Sequence, residues 1–101
     1  MKMYILVLDD VPTGFAMNSV AHASLACYIK FQHLPAMSEW LSSSFKKVTC
    51  KVSKEQFDKA YGLAENKTMI TESALGGRVV AVALAPQEEW DPFFKTLSLW
   101  R

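Results

Sequence analysis

A chain of 101 residues with a formal net charge of +1 holds one domain with a single core, and residues 1–101 are read as that domain. Half the residues are hydrophobic and 21% are charged, an ordinary globular mixture, and a charge so near zero gives no global field to steer nucleic acid or a membrane surface. No apolar run approaches the ~18 residues of a membrane-spanning helix, so the expectation is a soluble, cytoplasmic protein.

Residues 3–8, MYILVL, are apolar without alternation, which predicts a central strand covered on both faces. Asp9 to Gly14 form the turn out of it, with Pro12 fixing its own backbone angle and Gly14 permitting a positive one. The pattern predicts a long helix from Phe15 to about Gln32, where Ala16, Ser19, Ala23, Ala26 and Cys27 are small enough for close approach to a sheet. A shorter helix follows from Pro35 to about Ser43. KKVTCKV (46–52) alternates, with Val48, Cys50 and Val52 on one face and Lys47, Thr49 and Lys51 on the other; its lysines suit a sheet edge.

Ser53 and Gln56 read as a capping box opening a helix whose apolar stripe is Phe57, Ala60, Tyr61 and Ala64. Thr68 to about Ser73 is a third strand, Gly76-Gly77 a turn, and RVVAVALA (78–85) a fourth, central strand antiparallel to the third. After Pro86 the tail is expected to be helical, either capped by Asp91 with Pro92 in the first turn or starting at Gln87 with a kink at Pro92. The order predicts an α/β fold with a mixed four-stranded sheet, one strand antiparallel, and helices on both faces.

Cys27 and Cys50, the two cysteines, stand in no metal-ligand spacing, so neither a metal nor another cofactor is expected. Two buried thiols in a reducing compartment are the reading, although counting alone leaves a disulfide open. Six lysines between Lys46 and Lys67 oppose Glu55, Asp58 and Glu65, a pattern that suits a solvated helix and strand edge better than an RNA-binding face.

The stretch DDVPTGFAMNSVAHASLACY (9–28) has no charged residue between Asp10 and Lys30. It occupies the place where ligands gather in open α/β sheets, at the carboxyl end of a strand feeding a helix start. Asp10 is the candidate polar anchor and Gly14 the close-approach position. Asn18 and His22, four residues apart, share a helix face. The alternative is structural: Asp10 bonds turn amides, Asn18 sits in the first turn, and His22 is a hydrogen-bonded core residue. Packing of the helix between the sheet and a neighbour would account for the missing charge.

KMYILVLDD, HASLACY, FKKVTCKVSKEQF, RVVAVALAP and the terminal KTLSLW, in that order, resemble the peptidyl-tRNA hydrolase type II superfamily over almost the whole chain. The resemblance implies a three-layer α/β/α sandwich, a homodimer, and hydrolysis of the ester that joins peptide to tRNA. It implies chemistry by a lysine just after the loop glycine, an aspartate before the final hairpin and a threonine near the last strand. Gly14 is instead followed by Phe15, Ala16 and Met17. Glu72 is the nearest acidic counterpart, which makes it a candidate ligand-binding residue, and the threonine position falls near Val79 or Val80. The spacing of DDVPTGFAMN is similar to a branch of the superfamily in which Asp-Asp-Leu leads into a helix beginning with Asn.

Three functions compete. One is a binding module on the hydrolase fold, for a small ligand or a protein, without the usual hydrolysis. A second is an ester hydrolase with a rearranged site, His22 as base oriented by Asp10. The third is a structural dimer formed through the charge-poor helix or the aromatic tail; tRNA as a partner has weaker support.

Overall fold

The computed structural model describes residues 1–101. Strand β1 runs from Lys2–Leu8, and helix α1 from Thr13–Phe31. Helix α2 (Pro35–Ser42), strand β2 (Lys46–Val52), helix α3 (Lys54–Leu63) and strand β3 (Lys67–Glu72) follow. A turn through Gly76 and Gly77, both with positive φ, leads into strand β4, Arg78–Gln87. The left-handed backbone at this glycine pair is one that residues with a Cβ resist.

With a last short strand β5 (Ser98–Leu99), the sheet has five strands in the order β3-β4-β1-β2-β5. β1 and β2 are parallel, β4 is antiparallel to both β1 and β3, and β5 is antiparallel to β2. The expected four strands with one antiparallel are therefore corrected to five with two. The tail differs for the same reason. Asp91 does cap, accepting from the Phe93 amide at 2.9 Å, but Pro92–Thr96 make only a short 3₁₀ helix. The chain then pairs with Cys50 and Lys51 of β2. Two residues of β5 thus cover part of an edge that the lysines of β2 guard elsewhere.

The core lies along β1 and β4, where Met3 to Leu8 and Val80 to Pro86 are buried without a break. Helix α1 packs on β4, β3 and β1, and α3 on β1 and β2. Two bulges tune β4. Lys2 pairs with Gln87 and Tyr4 with Leu84, so Ala85 and Pro86 oppose the single Met3. A bulge is where a sheet tolerates a residue without an N–H. Near the other end Ile70 pairs with Ala81 and Thr71 with Val79, which leaves Val80 as the extra residue.

The charge-poor helix is not enclosed as expected. Ala16, Ser19, Ala23, Cys27 and Phe31 form its buried stripe, while Met17 (69%), Leu25 (61%) and Ile29 (57%) are exposed. Small residues do seat α1 on the sheet, but its outer face is uncharged without being covered.

The capping box of α3 is present. Ser53 Oγ accepts from the Gln56 amide at 3.2 Å, and Gln56 Oε1 accepts from the Ser53 amide at 2.9 Å. Ser53→Ala is expected to cost about 1 kcal/mol. For a domain of this size that corresponds to a fall in melting temperature of roughly 4–8 °C by calorimetry.

Candidate functional site

The carboxyl end of β1 opens into a cavity of about 640 Å³. Leu8, Asp9 and Asp10 form one wall, Lys54, Phe57, Asp58 and Tyr61 of α3 another, and Met69, Arg78 and Val79 of the β3–β4 hairpin the third. The local backbone explains this convergence. The Asp9 amide donates to Val52 O at 2.8 Å, extending the parallel ladder one residue past β1. The Val11 amide then donates back to Leu8 O at 3.2 Å, which turns Asp9 and Asp10 outward. On the opposite side the bulge at Val80 offsets Arg78 and Val79, as bulges beside functional sites do.

Arg78 Nη2 donates to Asp10 Oδ1 at 2.6 Å, joining residues 68 apart in sequence. The hydrogen bond from Arg78 holds the Asp10 carboxyl below the usual carboxylate range, and the cation's charge adds to that effect. The Arg78 guanidinium is in turn held more firmly protonated by Asp10. A depressed acid pKa means the pairing is complete above the ordinary carboxylate range and is lost only as pH falls through the lowered value. Lys54 and Asp58, one turn apart on α3, make the protein's other ion pair at 2.5 Å. The lining therefore carries both signs of charge beside the aromatic faces of Phe57 and Tyr61, whose rings stack with centroids 6.5 Å apart.

Of the five candidate site residues, Asp10 alone lines this cavity. Gly14, Asn18 and His22 are exposed along α1 and line none of the five cavities of the molecule. A Cβ at Gly14 would meet open space, and its φ is not positive. Asp10 and His22 share no hydrogen bond; the Asp10 partner is Arg78. Glu72 half-buries itself at the end of β3, where its Oε1 accepts from the Ala74 amide at 3.2 Å and caps the turn. Val80 is fully buried, whereas Val79 faces the cavity.

Arg78 was not among the sequence candidates. A faint signal existed: it is one of two arginines in the chain and directly follows the Gly-Gly turn. Both cysteines are buried and free. Burial pushes the Cys27 thiol up to about 12 and raises that of Cys50, so neither is an available nucleophile. No group of three or more His, Cys, Asp or Glu side chains is placed to hold a metal ion.

These features define an α/β domain with a mixed-charge cavity at the carboxyl end of its first strand. The chain belongs to the peptidyl-tRNA hydrolase PTH2 family, whose family model matches residues 1–100. Comparison with curated proteins gives no match. No helix is long and apolar enough to cross a membrane.

Proposed function

We propose that this member of the family is a ligand-binding module that does not carry out the usual peptidyl-tRNA hydrolysis. The observation that carries this reading is the Asp10–Arg78 pair inside the cavity. A carboxylate engaged by a guanidinium, with its pKa lowered, is a weak base, and a general base works best with a pKa near the operating pH. The residues after Gly14 supply no cation, and neither Val79, which lines the cavity, nor the buried Val80 carries a hydroxyl. The rearranged hydrolase reading needs His22 beside Asp10, and His22 lines no cavity.

The mixed lining suits a small ligand with both signs of charge. Its carboxylate pairs with Arg78 or Lys54, its ammonium with an aspartate, and its apolar part lies on Phe57, Tyr61 and Met69. Titration calorimetry with phenylalanine, N-acetylphenylalanine and phenylalanine methyl ester tests this. Free phenylalanine is expected to bind tightest, and Arg78→Met to weaken it about tenfold, the worth of one charge-assisted hydrogen bond. Equal affinity for all three probes, no binding of any, or indifference to Arg78→Met contradicts the reading.

The homodimer implied by the family is supported by exposed Met17, beside a hollow lined by Met17 and Trp100. The right-handed sense of parallel crossovers supports a three-layer sandwich: the chain moves one way from β1 to β2 and back from β2 to β3, which puts α3 on the face opposite α1. Two buried free thiols are in keeping with a reducing, cytoplasmic setting.

A further inference from the structure

We propose that the recess between α1 and α2 is a second ligand site, one that takes a small amphipathic monocarboxylate. The recess has a volume of about 480 Å³, within the range of ~300–1,000 Å³ typical of small-molecule pockets. Val20, Leu25 and Tyr28 of α1 face Trp40 and Leu41 of α2 across it, and Phe45 and Lys47 form its rim. It shares no lining residue with the cavity at Asp10, so it stands independently of the function proposed above.

The rim is built at a cost. Phe45 has φ of 51°, a left-handed conformation that a bulky residue rarely adopts and that persists only where surroundings hold it. Here its ring packs against Trp40 at 5.0 Å between centroids. The Lys47 ammonium lies 3.3 Å from the Phe45 ring centroid and 5.1 Å from that of Trp40. The same Nζ donates to Phe45 O at 3.0 Å. The aromatic rim thus holds one cation at the mouth of an apolar recess.

Charge decides the occupant. Lys47 is the sole charged residue of the lining, and neither ion pair of the protein involves it. A ligand with an apolar body and one carboxylate supplies what the lining lacks, with the Ser24 hydroxyl and the Tyr28 phenol as the other polar groups there. The α1 of a second copy matches less well, because that helix has no acidic residue from Thr13 to Phe31 and would leave the ammonium uncompensated.

The test compares octanoate, below its micelle concentration, with 1-octanol by calorimetry and by amide and indole NMR shifts. Octanoate is expected to bind about tenfold tighter, as one charge-assisted hydrogen bond confers, with shifts at Trp40, Phe45 and Leu25. Lys47→Met should erase the preference for the carboxylate. Ala21→Trp, at an exposed lining position, should block both probes while circular dichroism shows an intact fold. Equal affinities in the native protein, an unchanged preference in Lys47→Met, binding that survives Ala21→Trp, or shifts confined elsewhere would each overturn the proposal. So would failure of octanoate to bind together with a concentration-dependent dimer that Ala21→Trp dissociates, because the occupant is then a second copy.

Discussion

Trp40→Ala is expected to destabilise the protein by about 3–5 kcal/mol, the range for deleting a large buried aromatic. Trp40 is 1% exposed and the largest of the fully buried side chains. It contributes more than volume: its indole Nε1 donates to Lys46 O at 2.8 Å, and its ring supports Phe45 in the left-handed region. The substitution therefore opens a cavity, removes a hydrogen bond, and loosens the connection between α2 and β2. Set against a total stability of roughly 5–15 kcal/mol for a natural domain, this is a large fraction, read as a fall in the urea midpoint. Trp40→Phe separates the effects, since it keeps most of the packing and gives up the hydrogen bond, worth about 1 kcal/mol. Equal losses in the two variants would assign the effect to the hydrogen bond and contradict the packing account.

The second large effect is expected at Leu84, where truncation to Ala should cost about 2–5 kcal/mol. Leu84 is fully buried on β4 and pairs with Tyr4 of β1 on one side and Lys67 of β3 on the other. Its place between two strands leaves little freedom for the backbone to collapse into the space. Leu99→Ala on the short edge strand β5 is the control. Leu99 is 49% exposed, and a surface change of that kind stays within about 0.5 kcal/mol. Comparable losses at Leu84 and Leu99 would show that β5 belongs to the cooperative core rather than to its margin.

What was legible in the sequence was mostly local. The capping box at Ser53 and Gln56, the Gly76-Gly77 turn and the unbroken apolar runs of β1 and β4 each state their own conformation within a few residues. The family could be read from the order of such pieces. The tail was not legible in this way: Asp91 and Pro92 signal a helix start, but the two-residue strand after it exists only because β2 offers an open edge.

The outer face of α1 misled for a different reason. Absence of charge is a sign of burial only on average, and here the small residues alone mark the buried stripe. Arg78 escaped because its partner is 68 residues away and is brought near only by the placement of β4 beside β1. The place of Asp10 at the cavity could be read because it follows an evident strand, whereas the placement of Gly14, Asn18 and His22 depended on where the helix face pointed.

Binding without the usual hydrolysis on this family fold is tested by single-turnover cleavage of peptidyl-tRNA. The native protein would be run beside Asp10→Ala and His22→Ala, each checked for folding. The expected result is no ester cleavage above the buffer control for any of the three. Cleavage by the native protein that is lost in Asp10→Ala or His22→Ala would contradict the claim and establish a rebuilt hydrolase site.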